Sequence, residues 1–341
     1  MNQLNVGFVR TSLLALALST SVNAGEISHY NGGFMNIRDF FVPPEPGFYG
    51  AVYNYYYTTD RLNGKNGNEM DDVTIAPPGG GPAVTLDLDV DVDIYVVSPT
   101  LIWVPDWKPF GARCGILIAP TFANASPEAS LSRAESAALG GSGSSWGVGD
   151  LLVQPVWLDW SLKHWDFTVS YGFYAPVGKY STDTVTVAGV GPVKVESGDN
   201  IGYGFWTHQF QGAVAWYPME NKATAVTAAL TYEINSEKED FDLTPGNTLT
   251  LNWGISQYIP LKKDNSLLLE IGPAGYDSWQ VTEDSGSDAN NIKDQVHAVG
   301  GQLGITCVPW NLVVNFHAFY EYSAEDRFQG QSYGISIAKK F

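Results

Sequence analysis

The sequence has little cysteine and little positive charge. Two cysteines among 341 residues exclude a small domain held together by disulfides. The 18 Lys and Arg residues are outnumbered by 36 Asp and Glu residues and form no basic run, which makes nucleic acid a poor partner. The five histidines are scattered without zinc-site spacing, and no glycine-rich phosphate loop is present. We therefore expect no nucleic-acid partner, no metal centre and no cofactor.

Long apolar runs are also missing after the first 24 residues. Arg10, the apolar stretch from Leu13 to Leu18 and the small-residue site Val22-Asn23-Ala24 predict a signal peptide over residues 1–24, cleaved after Ala24. Beyond it, no stretch approaches the roughly 18 apolar residues of a transmembrane helix. If the exported chain crosses a membrane, it must do so as a closed β-barrel.

Aromatic residues, by contrast, are plentiful. The 11 Trp, 18 Tyr and 16 Phe suit a boundary between water and lipid. In residues 165–173 the odd positions are aromatic or Val and the even positions are polar or Gly, and a similar alternation follows Leu312. Such alternation over segments of about ten residues is typical of outer-membrane barrels, apolar toward lipid and polar toward the lumen. The predicted strands are 48–60, 93–104, 113–122, 148–160, 164–174, 203–217, 222–235, 248–260, 265–280, 295–308, 312–323 and 332–341.

Long and short connections alternate strictly between these strands. Short periplasmic turns and longer extracellular loops produce this rhythm in transmembrane barrels, whereas a soluble sandwich has no reason to follow it. We predict an all-β fold, a transmembrane antiparallel up-and-down β-barrel of about twelve strands over residues 48–341, in the outer membrane of a Gram-negative bacterium. The chain ends at Phe341 after Tyr333, Ile335 and Ile337 on one face, which resembles the C-terminal signature that outer-membrane assembly machinery reads. That machinery, outer-membrane lipid and lipopolysaccharide are the expected partners.

Residues 25–47 precede the predicted barrel. Pro43, Pro44 and Pro46 make this segment extended and stiff rather than a domain. It either lies under the barrel as a periplasmic tether, which we favour, or folds into the lumen as a partial plug.

The same region carries a family resemblance. The stretch Pro43-Pro44-Glu45-Pro46-Gly47-Phe48-Tyr49 leads into a strand with Tyr53, Tyr55, Tyr56 and Tyr57, followed by Asp60-Arg61-Leu62-Asn63. It resembles the outer-membrane family of phenol meta-cleavage-pathway transporters, which includes sphingosine-induced porin-like members. The resemblance implies passage of small hydrophobic or aromatic molecules and a link to aromatic degradation, and it supplies no catalytic residues.

Polar side chains on the predicted inner face define a candidate solute path. Twelve strands enclose a space between the filled interior of eight-stranded barrels and the open channel of large porins. We expect a narrow channel for passive uptake of small hydrophobic solutes, with a barrel enzyme that hydrolyses lipid or peptide and a purely structural or surface-interaction barrel as alternatives. The lumen residues are Asp166, Thr168, Ser170, Gln209, Gln211, Asn252, Ser256, Glu270, Gln302, Asn315, His317 and Glu321.

Histidines beside polar residues are the candidates for an enzyme. They are His208 with Gln209 and Gln211, and His317 with Glu321. Each is more often a hydrogen-bonded wall residue than a catalytic group, because catalysis also needs a nucleophile, a base and an orienting group in contact. We predict that the protein is not an enzyme.

Two further features carry predictions. In Leu86-Asp87-Leu88-Asp89-Val90-Asp91-Val92-Asp93 the alternation places Asp87, Asp89, Asp91 and Asp93 on one face of a strand that projects beyond the membrane, where a divalent cation would relieve their repulsion or water would simply solvate them. Cys114 and Cys307 fall on strands nearly across the barrel, too far apart for a disulfide, and are predicted to be free thiols.

Three prolines lie within the second, third and fourth predicted strands. Pro99, Pro120 and Pro155 cannot donate to the strand ladder, and a closed barrel has no edge for them, so each is expected to force a bulge or a break. These breaks either form a lateral opening from lumen to bilayer or are ordinary bulges sealed by side chains.

Overall fold

The structure is a closed antiparallel β-barrel of twelve strands. This computed structural model describes residues 28–75, 84–133, 136–142, 145–187, 191–197, 200–289 and 292–341. The predicted signal peptide, 1–24, lies outside the described residues. No helix in the described part of the chain is long and apolar enough to cross a membrane.

Each barrel strand pairs with its neighbours in the sequence, and β12 closes the barrel against β1. The strands are β1 Gly47–Thr59, β2 Val84–Val104, β3 Arg113–Arg133, β4 Ser145–Ser161, β5 Trp165–Ala175, β6 Thr207–Trp216, β7 Thr224–Asn235, β8 Thr248–Pro260, β9 Leu267–Gln280, β10 Gln295–Cys307, β11 Leu312–Glu325 and β12 Gln331–Lys340. All twelve predicted strands are confirmed, and the fold class with them.

The main difference from the sequence prediction is the length of β2 and β3, which have 21 residues each. They extend past β1 as a paired ribbon, whose outer parts also pair with the short strands Asp72–Ile75 and Ser136–Ser142. The predicted strand over the Asp run is the outer part of β2. Ribbon and barrel wall form one continuous strand because the alternation carries on through residue 93 without a turn residue.

The connections alternate in length as predicted, so the barrel has a short-turn end and a long-loop end. The short turns include the 3₁₀ segments Pro109–Gly111 and Val308–Trp310. The long connection between β5 and β6 contains a hairpin of Thr182–Val187 and Gly191–Glu196. At the same end, Arg327–Phe328 pairs with Leu62–Asn63 and joins the first and last long connections.

Side chains alternate across the wall. In β5, Trp165, Phe167 and Val169 are exposed on the outer surface, whereas Asp166 and Thr168 are buried inside. The outer surface is therefore a band of large apolar and aromatic side chains, as a lipid-facing wall requires.

The N-terminal segment, residues 28–46, lies inside the barrel as far as Val42 and leaves it at the short-turn end, where Pro44, Glu45 and Pro46 are exposed. The expectation of a tether beneath the barrel was therefore wrong for residues 28–42. The segment starts in the long-loop half, where His29 contacts Asp150 and Thr207. It reaches the short-turn end at Arg38, which contacts the carbonyls of Lys222 and Ala223. The physical reason is hydrogen bonding: the segment has no sheet partner, and the inward polar side chains satisfy its backbone.

Candidate solute path inside the barrel

The predicted lumen residues all lie on the inner face of the wall. Gln211 is half-buried and the other eleven are buried. Six of them bind the N-terminal segment, namely Thr168, Asn252, Ser256, Glu270, Gln302 and His317. Gln209, Gln211 and Glu321 instead line the cavity described below, and a role of the twelve residues on a solute path stays a prediction.

Several backbone groups of the segment form hydrogen bonds with these side chains. The Gly33 N–H donates to Asn252 (2.9 Å) and the Ile37 N–H donates to Gln302 (2.7 Å). The Phe40 carbonyl accepts from the Thr168 hydroxyl (3.1 Å). The polar side chains of the inner face therefore fix the position of this extended chain, because buried backbone groups must be paired.

Arg38 is the strongest single anchor of the segment. Its Nε lies 2.9 Å from both Ser256 Oγ and Glu270 Oε1. Its guanidinium also stacks over the Tyr258 ring, with 4.2 Å from Cζ to the ring centroid. Glu270 is buried, so this pair neutralises a carboxylate that would otherwise be isolated inside the barrel.

His29 anchors the other end. Its Nδ1 lies 2.7 Å from Thr207 Oγ1 and its Nε2 lies 2.9 Å from Asp150 Oδ2, while its ring stacks on Tyr174 with centroids 4.6 Å apart. Asp150 also accepts from the backbone N–H of Gly178 and of Tyr203. One carboxylate thus joins the wall, the segment and the long connection between β5 and β6.

A cavity of about 440 Å³ remains beside the segment. This volume falls in the range of small-molecule sites, about 300–1,000 Å³. One side is aliphatic and comes from β2 and β3. The other side carries Tyr53 and Tyr55 of β1, and Tyr30 and Phe34 of the segment. The aliphatic lining residues are Val92, Ile94, Val96, Ile102, Leu117, Ala119, Ala123 and Ala125.

This aliphatic wall was not predicted from the sequence, because only polar residues were expected to face the lumen. A signal was present. If the carboxylates of the Asp run face outward, the alternation places Val92, Ile94 and Val96 inward on the same strand. The side chains of the segment that line the cavity left no comparable signal.

The strand ladders are interrupted at the three prolines. Between β2 and β3 the pairing stops after Val97–Phe122 and resumes at Leu101–Ile118, a register that sets Pro99 opposite Pro120. The ladder between β4 and β5 shifts between Val153 and Val156, around Pro155. These interruptions adjoin the cavity, whose lining includes the flanking residues Ser98, Thr100, Ala119, Thr121 and Gln154.

The wall at these interruptions is not empty. The Ser98 hydroxyl donates to the Pro120 carbonyl (3.2 Å), which satisfies one backbone acceptor that the ladder leaves free. A side chain of β2 therefore spans the gap beside Pro120.

The Asp run points to the outside of β2. Asp87, Asp89 and Asp91 are exposed, and Asp93 accepts a hydrogen bond from the Tyr56 hydroxyl (2.6 Å). Among the described residues, no three His, Cys, Asp or Glu side chains stand close enough to hold a metal ion. The predicted cation site therefore has no preformed geometry in that part of the chain.

The remaining candidates are wall residues. Both cysteines are free; Cys114 is buried and Cys307 is half-buried. His208 lies on the outer surface beside the Tyr171 hydroxyl (3.0 Å), on the opposite face from Gln209. His317 contacts Asn36, whereas Glu321 accepts from the hydroxyls of Tyr57 and Tyr276.

The fold and this partly filled lumen define an outer-membrane type of β-barrel. Residues 59–337 match the family described as "Putative MetA-pathway of phenol degradation", and the chain belongs to that family. The resemblance found in the sequence is thereby confirmed.

Solved structures share the fold. The COG4313 outer membrane channel from Pseudomonas putida F1 is 17% identical with a TM-score of 0.61, covering 90% of this chain and 100% of that one. The β domain of the Bordetella autotransporter BrkA is 10% identical with a TM-score of 0.46, covering 87% and 100%. The CymD monoaromatic hydrocarbon channel is 10% identical with a TM-score of 0.41, covering 94% and 97%. At 17% identity the first match shows the shared fold alone. No curated protein sequence matches the chain.

Proposed function

We propose that the protein is an outer-membrane channel for passive uptake of small hydrophobic or aromatic molecules. The observation that carries the proposal is the cavity of about 440 Å³ with an aliphatic wall inside a barrel of otherwise polar lumen. An apolar solute gains by leaving water for such a wall, and no binding energy needs to be supplied by a coupled reaction. Family membership and the fold shared with an outer membrane channel support it.

The solute path runs through the cavity and not through the polar residues that bind the segment. We propose an exit through the wall at Pro99, Pro120 and Pro155. Backbone groups without ladder partners are tolerated at membrane depth where they line a cavity, and these three positions adjoin one. The protein then catalyses no reaction, and export after Ala24 and assembly through Phe341 deliver it to the outer membrane.

Replacing all three prolines by Val tests the lateral exit. Valine restores three backbone donors and suits a strand, so we expect slower uptake of a hydrophobic solute by cells that carry the variant, with entry of a small hydrophilic solute unaffected. Pro273→Val is the matched control, because Pro273 lies on the outside of β9 and does not line the cavity. Unchanged uptake of both solutes would rule out the exit.

A direct comparison of cells with and without the protein tests the channel itself. Uptake of an aromatic hydrocarbon should be faster with the protein present, and the purified protein should release no fatty acid from phospholipid and no fragments from peptides. Hydrolysis of either, with no effect on uptake, would favour the barrel enzyme.

A further inference from the structure

Two buried glutamines face the cavity without a hydrogen-bond partner. Gln209 of β6 is 4% exposed and Gln154 of β4 is 7% exposed, and both line the cavity. Neither side-chain amide makes a hydrogen bond to any residue that the structure describes, and Oε1 of Gln209 is fully enclosed. Buried polar side chains nearly always have a partner, so two unpaired amides on one cavity wall call for a ligand.

The backbone brings these two side chains to the same place. Gly172 of β5 pairs with Gln209 in the ladder between β5 and β6. On its other side, a Cβ at Gly172 would lie 3.3 Å from the Cβ of Gln154, so Gln154 lies over the glycine. The bulge at Pro155 places Gln154 there. We call Gln154 and Gln209 the glutamine pair.

The rest of the cavity limits what the glutamine pair can bind. The aliphatic residues of β2 and β3 suit an apolar body. The carboxyl groups of Asp39, Glu196 and Glu321 also line the cavity, with Arg327 among them, so an anionic solute would be repelled more than attracted. The amides are neutral, and each offers both donors and an acceptor.

We propose that the glutamine pair binds the hydroxyl group of an uncharged hydroxylated aromatic solute while its ring packs against the aliphatic wall. A hydroxyl group accepts from the amide nitrogen of Gln209 and donates to the amide oxygen of Gln154, and so pairs with both side chains at once. This inference rests on the proposed function and deepens it: the channel selects hydroxylated aromatics over plain hydrocarbons and over carboxylates. A site with polar groups to satisfy discriminates against an analogue that lacks the matching group.

Binding of phenol, toluene and benzoate to the purified full-length protein tests the proposal, because phenol and toluene differ only by hydroxyl against methyl. By titration calorimetry we expect phenol to bind more tightly than toluene, and benzoate weakly. The double variant Gln154→Met with Gln209→Met should lower the ratio of phenol to toluene affinity about threefold to tenfold, as loss of a neutral hydrogen bond predicts. Toluene affinity should be kept, since methionine is apolar and of similar length.

Gln257→Met is the matched control. Gln257 lies in the wall outside the cavity, with its amide oxygen bound by Thr224 and its nitrogen bound to the Tyr258 carbonyl, so this variant should keep the phenol preference. The single variants Gln154→Met and Gln209→Met should each lower the ratio of phenol to toluene affinity. They serve as the test if the double variant does not fold.

Two results separate the inference from the function on which it rests. An unchanged phenol-to-toluene ratio in folded variants, or benzoate binding as tight as phenol binding, overturns the hydroxyl site and leaves the channel standing. If neither phenol nor toluene binds and neither enters cells faster with the protein present, the proposed function fails as well.

Discussion

The inner wall of the barrel has two regions with opposite chemistry. From β5 to β12 it carries many polar side chains that bind the N-terminal segment, and the ladders from β5 to β8 run without interruption. In β2 and β3 it is aliphatic, it borders the cavity, and the adjoining ladders are interrupted at prolines. The comparison shows that most anchors of the segment lie on β5 to β12 and that the aliphatic lining of the cavity lies on β2 and β3, while Gln209 and Gln211 of β6 face the cavity from the anchoring side. We call these regions the anchoring wall and the cavity wall.

Replacement of Arg38, the main anchor of the segment, should have the largest effect on the difference between the two walls. Arg38→Ala leaves the buried carboxylate of Glu270 without its cation, which costs about 3–5 kcal/mol when one partner of a buried pair is lost. We expect a large drop in unfolding free energy, measured by denaturant titration, and a higher single-channel conductance as the segment loosens. The double variant Arg38→Met with Glu270→Met should recover most of the stability because no charge stays unpaired. Equal stability of Arg38→Ala and wild type would show that the anchoring wall does not depend on this pair.

The same substitution on the two walls should give different results. Ala229 on the anchoring wall is 1% exposed and packs against Tyr30 and Phe40, so Ala229→Leu overpacks and should cost about 1–3 kcal/mol of unfolding free energy. Ala123 on the cavity wall faces open space, so Ala123→Leu should leave stability nearly unchanged and slow solute uptake. Thermal unfolding and uptake measured on both variants check this. Similar stability losses at the two sites would remove the distinction between the walls.

The ion pair of Glu45 and Lys340, which lies outside both walls, should contribute least to stability. The hydrogen bond from Lys340 and its charge lower the pKa of Glu45, an exposed residue at the short-turn end, below the ordinary value of about 4.5. A lowered pKa of a carboxyl group stabilises the folded state at pH values above the ordinary pKa of that group. This contribution is lost as the pH falls through the lowered pKa. Glu45→Gln should therefore change the thermal midpoint by about 1 °C or less at neutral pH and not at all near pH 2, since exposed pairs contribute little. A larger change at pH 2 than at pH 7 would contradict this sign.

Most of the barrel could be predicted from the sequence, because alternation and connection length are local signals. The outward aromatic residues of β5 and the inward polar residues of β11 follow directly from their spacing. The cavity wall could not be found in this way. In β2 both faces are apolar from Ile94 to Val97, so hydrophobicity does not distinguish lumen from lipid there.

The position of the N-terminal segment is a non-local property. Its prolines predict an extended chain but give no direction, and the residues that receive it are spread over strands up to 300 positions away, as with Asn36 and Ser336. A pattern within one segment cannot encode such a partner. The glutamine pair depends likewise on a bulge that brings β4 and β6 together across Gly172.

The segment also has a consequence for how the barrel closes. In the seam between the first and last strands, Tyr53 of β1 pairs with Ser336 of β12. Asn36 donates to the Ser336 hydroxyl and Asp39 accepts from the Tyr53 hydroxyl, so a single turn of the segment bridges both sides of this one rung. Joining residues so distant in the chain is entropically costly and slow. Asn36 and Asp39 lie shortly before β1 in the chain. They therefore stay close to the first strand and offer the last strand a hydrogen-bonding site, which ties closure of the barrel to a filled lumen.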